Sequence, residues 1–389
     1  MFDPTPSAAS PQSLDRRQLL QMAGSALATA ANSTQSSAQG ISASGVKPFR
    51  NYREVLARLE ARGRKWRVLG AAPDGSPIVA VKCGGDKLPA IFISGGAHST
   101  EHAGATATVE VIEQLKTQHQ VWVIPARDPI GLSGFRHALS LGLGQPPKLD
   151  SHEQLDNFLR KHGDVLYDAD GTLLVQIGEH GYANRGLLGK FEKGAKFLEP
   201  LLGRRIWYAS RRTDTPGSGP LERAYTLIVT PDGEILHLNR FHDTAWAPAE
   251  VRCVRQLLAE IKPALTFDMH EHDHGAHYWM SARRQRTEED EVWERRMAAE
   301  AVRAVKGMGS TLAPDSYSPG SFFDKLEPGV FWLDAGKRGQ GLNLVDFAAK
   351  HYGPGFTIET GMQCPFEERV RQHLTVAQTA VNVFEQRYR

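Results

Sequence analysis

Hydrophobic positions recur along this chain in two spacings, and the two alternate. Over residues 50–62, Val55, Leu56 and Leu59 fall at helical spacing. Residues 66–69 and 78–81 read as two strands joined by a turn at Pro73-Asp74-Gly75. Ala90-Ile91-Phe92-Ile93 is an unbroken apolar run, the pattern of a buried strand. Ser94, Gly95 and Gly96 break it, and an Ala-rich helical pattern begins at about Ala103. Val121-Trp122-Val123-Ile124 predicts the next strand. Farther on, 249–261 reads as a helix, 264–268 as a strand and 288–305 as a charged amphipathic helix. Residues 356–359 then read as a strand and 367–386 as a helix. This alternation implies an α/β fold, a mixed, mostly parallel sheet flanked by helices, with ligands at the carboxyl ends of its strands.

Residues 140–236 break the rhythm. They are rich in Gly, Pro and charge, with short apolar pieces at 173–177 and 225–229. The reading is a large insertion, hairpins and a helix laid over the site; a separate small domain is the alternative. No internal repeat is present.

At 389 residues the chain has ample length for a core, and 41% hydrophobic with 23% charged residues describes a soluble globular protein. A formal net charge of +2 gives no reason to expect nucleic acid or an anionic membrane as partner. Cys83, Cys253 and Cys364 are too few and too scattered for a disulfide framework or a cysteine metal cluster, so buried thiols are expected.

The N-terminus reads separately. Asp15-Arg16-Arg17 precedes a short, mildly apolar run over 22–28 and small residues at Ala28-Thr29-Ala30. This pattern is similar to a twin-arginine export signal, followed by a Ser-, Ala- and Gly-rich linker to about residue 47. The run is too short to span a bilayer, so no membrane insertion is expected once it is removed. The catalytic region is then 48–389, in an exported, periplasmic or secreted protein. An Ala-rich amphipathic helix is the plain alternative.

Chemistry concentrates at His98-Ser99-Thr100-Glu101, just after a predicted strand. An imidazole and a carboxylate in a tight turn can face one ion. Zinc accepts both donor types, and a catalytic site takes three protein ligands. Taken alone, the pair could be a solvated histidine beside a helix-starting glutamate. A further histidine is available in Asp268-Met269-His270-Glu271-His272-Asp273-His274. Strand alternation puts Asp268, His270 and His272 on one face, and His270 is the first choice, with His272, His274 and His277 as rivals. Glu359 is a carboxylate inside an apolar strand, the setting of a general base with a tuned pKa, unless it points outward from an edge. Asn239-Arg240 could bind a carboxylate, although Asn184-Arg185 repeats the pair and surface residence is the default for both.

In order, these pieces resemble the M14 family of zinc carboxypeptidases, over most of residues 50–389 apart from the insertion. The family's H-x-x-E motif matches His98 and Glu101, its D-x-H matches Asp268 to His270, its N-R pair matches Asn239-Arg240, and its F-T-x-E glutamate matches Glu359. Residues 123–131 are similar to the family's strand leading to N-P-D-G. The resemblance implies one zinc ion on His98, Glu101 and His270, with Glu359 as catalytic base. It also implies a substrate carboxylate gripped by Arg240 and Asn239, with Arg136 assisting. The implied activity is hydrolysis of a C-terminal peptide bond. A zinc-dependent deacylase of N-acyl amino acids, of the desuccinylase and aspartoacylase kind, is the first alternative, and a non-catalytic secreted binding protein the second. Two departures stand out. His237 occupies the place of an aspartate that orients the first metal histidine, and the stretch 336–342 offers no match for the family's mobile tyrosine.

Overall fold

The computed structural model describes residues 41–210, 221–339 and 341–389. The expected export signal, and the linker as far as residue 40, lie outside the described residues. Residues 41–47 are held to the body of the protein. Ser42 N donates to Gln114 Oε1 at 3.1 Å, Gly45 N donates to Glu367 Oε1 at 2.9 Å, and Ala43 is buried.

In chain order the strands are β1 (Arg67–Ala71), β2 (Pro77–Gly84), β3 (Lys87–Gly95), β4 (His119–Ile124), β5 (Asp164–Ala169), β6 (Thr172–Ile177), β7 (His180–Ala183) and β8 (Arg205–Ala209). There follow β9 (Ala224–Val229), β10 (Ile235–His237), β11 (Leu265–His272), β12 (Trp279–Ala282), β13 (Phe323–Glu327), β14 (Val330–Leu333) and β15 (Gly355–Gly361). Nine of them form the central sheet, in the order β1-β2-β4-β3-β11-β15-β12-β14-β13. The middle run β4-β3-β11-β15 pairs in parallel, and antiparallel pairs extend it on both sides. The mixed α/β sheet flanked by helices is thus as the sequence implies, with three adjacent parallel pairs at the centre and one more, β12 with β14, toward one edge.

Side chains alternate across this sheet with the period of two that a pleated strand imposes. Ile91 and Ile93 of β3 enter one core, with Ala103 and Ala107 of helix His102–Gln114 and Leu374 and Ala377 of helix Phe366–Arg387. Phe92 enters the other, with Val254, Leu257 and Leu258 of helix Ala249–Ile261. On β11, Leu265, Phe267 and Met269 join the first core, so Asp268 and His270 face the second side. Each such apolar side chain contributes about 1.5–3 kcal/mol on full burial. That offsets the cost of placing ionisable groups on a strand buried at every position.

The insertion is more ordered than the sequence suggests. After helices Phe135–Leu143 and His152–His162 come six strands in a second sheet, β10-β9-β8-β7-β6-β5, antiparallel except where β7 meets β8. It has its own apolar layers, around Val175, Tyr182 and Trp207 on one side and Leu174, Ile206 and Leu227 on the other. Its last strand ends at His237, and the short turn Leu238–Arg240 follows directly. No helix among the described residues is long and apolar enough to cross a membrane. All three cysteines are unpaired thiols, with Cys253 and Cys364 buried.

Candidate metal centre

Backbone geometry at the end of β3 sets the first two groups. Gly96 turns the chain at φ +60°, a conformation that favours glycine. Gly104, in the first turn of the following helix, lies so close to β11 that a Cβ there would come within 2.4 Å of the Met269 carbonyl oxygen. The helix is thereby pressed against β11, and His98 and Glu101 meet His270.

Glu101 stands at the N-cap of that helix but does not cap it. Its two oxygens face two imidazoles: Oε1 lies 2.7 Å from His98 Nδ1, and Oε2 lies 2.8 Å from His270 Nδ1. One donor atom from each of the three residues falls within 4.8 Å of the others. Two imidazole nitrogens and a carboxylate oxygen make a donor set that zinc accepts, so the residues present fit the ion the motifs imply.

Each imidazole is fixed from behind. His270 Nε2 is 2.9 Å from Asp268 Oδ2, and Arg127 Nη2 donates to both oxygens of Asp268 at 2.6 Å. His98 Nε2 is 2.8 Å from His237 Nδ1, and the His98 ring stacks on Tyr225 of β9 with centroids 4.9 Å apart. His237 therefore occupies the place where the family resemblance implies an aspartate. Such outer partners fix the tautomer and orientation of a ligating histidine.

The electrostatics follow from burial and from these contacts. Burial alone would push the Glu101 carboxyl up, but His98 and His270 more than reverse it and hold Glu101 well below the usual range. Burial works against protonated His270, yet Asp268 and Glu101 raise it well above the ordinary imidazole value. Burial, together with Arg240 and the neighbouring imidazoles, keeps His237 well below it. Glu359 lies beside His270 in the parallel register of β15 on β11, and faces the same side of the sheet. Burial, reinforced by Glu101 and Asp268, pushes its carboxyl up to about 8.

Comparison with known proteins gives similarity of structure. No family model matches the sequence, and no curated protein matches it. Among solved structures, the chain is similar to a candidate metallopeptidase from Shewanella denitrificans, with 14% identity, 85% of this chain and 87% of the other covered, and a TM-score of 0.47. It is similar to a metallo-carboxypeptidase from Pseudomonas aeruginosa, with 15% identity, 86% and 69% covered, and a TM-score of 0.46. It is also similar to bovine thrombin-activatable fibrinolysis inhibitor, with 13% identity, 86% and 97% covered, and a TM-score of 0.43.

Not every expected residue faces the cluster. Asn239 sits behind it: its Oδ1 accepts from Arg127 Nη1 at 3.0 Å and Leu344 N at 3.1 Å, and its Nδ2 donates to Asp268 Oδ2 at 3.0 Å. An amide so engaged props up Asp268. Arg136 makes its contacts elsewhere. It is partly exposed, donates to the Leu149 carbonyl at 2.9 Å and pairs with Asp150 at 3.7 Å, on the first helix of the insertion. Arg240 is near the cluster and contributes to the lowered pKa of His98, its own guanidinium brought down to about 9 by burial and by Arg338.

The rival histidines separate cleanly. His272 Nε2 lies 2.7 Å from the His277 carbonyl oxygen, and His274 is exposed beside Asp273. Asn184 is buried in the second sheet, where its Oδ1 accepts from Leu173 N at 3.0 Å. Three contributors escaped the sequence reading. Arg127 lies in the stretch similar to N-P-D-G, yet nothing local shows it reaching Asp268. Tyr225 arrives on the insertion, and Tyr317 comes close enough to Glu359 for the carboxylate to help raise its phenol to about 12, after burial as the larger cause.

Proposed function

We propose that this chain is a zinc-dependent carboxypeptidase of the M14 kind, which hydrolyses the C-terminal amide bond of a peptide. The observation that carries the reading is the convergence of His98, Glu101 and His270, with Glu359 beside His270 on the next strand. Such a zinc ion, when bound, polarises a carbonyl and lowers the pKa of water. His98, Glu101 and His270 are the residues that would hold it. Asp268 and His237 keep the two imidazoles aimed with their Nδ1 atoms toward Glu101. Glu359, buried beside His270 on the neighbouring strand, is suited to take a proton from water and return it to the leaving amine. Arg240 holds the substrate's terminal carboxylate.

The test is mass spectrometry of a mixed pool of free-acid peptides, their C-terminal amides and several N-acyl amino acids, with and without a zinc chelator. Chelator-sensitive loss of C-terminal residues from the free acids is the expected result. Release of acyl groups with peptides untouched moves the protein to the deacylases, and no product from a zinc-loaded chain contradicts both.

A further inference from the structure

The second sheet closes on the metal centre with its β10-β9 edge. Three consecutive residues of β9 grip the turns that follow β3 and β4. The Ala224 carbonyl accepts from Ser99 Oγ, and the Tyr225 ring stacks on His98 with the two planes 22° apart. Thr226 Oγ1 donates to Asp128 Oδ2 at 2.7 Å, and Asp128 N donates back to the Gly96 carbonyl at 2.9 Å. Gly131 permits the close approach, since a Cβ there would come 2.5 Å from the Ala224 carbonyl oxygen and 2.7 Å from Ser99 Oγ. β10 adds His237, which pairs in register with Leu227 and is therefore a diagonal neighbour of Tyr225 on one face of the sheet.

The two imidazoles of the centre are thus braced by different parts of the chain. His270 is backed by Asp268 and, through it, by Arg127, from the central sheet and the turn after β4. His98 is backed by Tyr225 and His237, and both belong to the second sheet. Tyr225 is itself held, because Tyr208 of β8 stacks on it with centroids 5.0 Å apart and planes 19° apart. A His98 that offers the lone pair of Nδ1 carries its proton on Nε2, and His237 Nδ1, 2.8 Å away, accepts that hydrogen bond. The ring cannot swing Nδ1 away from Glu101 without leaving the stack and breaking that bond.

We infer that the second sheet is an integral part of the metal centre: Tyr225 and His237 are positioning residues for His98, and zinc occupancy is linked to the docking of β9 and β10. The inference rests on the reading of His98, Glu101 and His270 as the zinc ligands. It adds that one of the three is held in place by the insertion. Linkage is reciprocal, so the factor these contacts add to zinc affinity is the factor by which zinc stabilises the contacts.

The experiment measures zinc affinity of the full chain by competition with a chromophoric chelator, and amide hydrogen exchange with and without zinc. Tyr225→Ala and His237→Ala should each weaken zinc binding by about 10–100-fold, the range for partners that orient a ligating histidine. Tyr225→Phe keeps the ring and His237→Asn keeps an acceptor, so both should bind zinc as the wild type does. In the wild type, zinc should slow exchange in β9 and β10 by about tenfold or more. It should leave β5, the opposite edge of the same sheet, unchanged. A merely structural role would lower the unfolding temperature of the alanine variants and spare the zinc affinity of the folded protein. That result overturns the inference, as does exchange in β9 and β10 that is indifferent to zinc. Should the alanine variants fail to fold, the exchange measurement on the wild type decides alone. A wild type that takes up no zinc overturns the metal centre and this inference together. No peptide product from a chain that does take up zinc removes the carboxypeptidase reading alone.

Discussion

Glu101 and Glu271 are both buried glutamates, one reaching His270 of β11 from the loop after β3 and the other carried by β11 with its side chain on the face opposite His270, and their partners differ in kind. Glu271 gives Oε1 to Arg369 at 2.6 Å and accepts from Ala103 N with Oε2 at 2.7 Å. It thereby caps the helix that Glu101 leaves uncapped. Glu101 gives both oxygens to imidazoles. A guanidinium offers no lone pair to a metal ion, so the Glu271–Arg369 pair is structural. Imidazoles exchange protons near neutrality, so the Glu101 cluster can give up protons and take a divalent cation in their place. Burial alone does not tell a functional acid from a structural one; the acidity of its partner does.

Glu359→Gln, on the metal-bearing side, should keep zinc and lower kcat by about 10²–10⁴-fold, measured by peptide release against metal content. Activity near that of the wild type would remove Glu359 as the base. On the far side, Glu271→Gln leaves Arg369 buried and unpaired. It should cost about 3–5 kcal/mol in denaturant unfolding while the folded fraction still binds zinc. If it instead lost zinc and kept its stability, the division between the two sides would be wrong.

Asp268→Asn should weaken zinc affinity by about 10–100-fold in a chelator competition, since it loosens His270 without removing a ligand. The smallest effect should come from acid. His242 on the site side and His373 on the far side are held neutral by burial, each with its pKa lowered to about 3. The unfolded chain takes up those protons first, so stability is complete above about pH 6.5 and falls as pH drops toward 3, by up to about 1.4 kcal/mol per pH unit per histidine. Replacing either by a neutral isostere should flatten that slope in unfolding measured between pH 7 and 4, and an unchanged slope would exclude the residue as a contributor.

Much of this site was legible because its signals are local. A strand, two glycines and His98-x-x-Glu101 occupy one short stretch, and Glu359 is conspicuous as an acid in an apolar strand. What was not legible depends on where distant segments cross. Asn239 and Arg240 are neighbours in sequence, yet the chain turns so that the amide faces inward to Asp268 and Arg127. Arg136 follows a family-like turn, but its helix runs into the insertion. The second sheet hid because β5 is largely exposed and carries little hydrophobic alternation, while short strands elsewhere are separated by Gly and charge. His237 could be seen as a departure from the family pattern; its contact with His98 could not.

The most direct measurement is zinc content by elemental analysis after equilibrium dialysis of the wild type, Glu101→Gln and Glu271→Gln, each checked for folding. The expected result is one zinc per chain in the wild type and in folded Glu271→Gln, and none retained by Glu101→Gln. Equal zinc in Glu101→Gln, or none in the wild type, would contradict the assignment of His98, Glu101 and His270 as the metal centre.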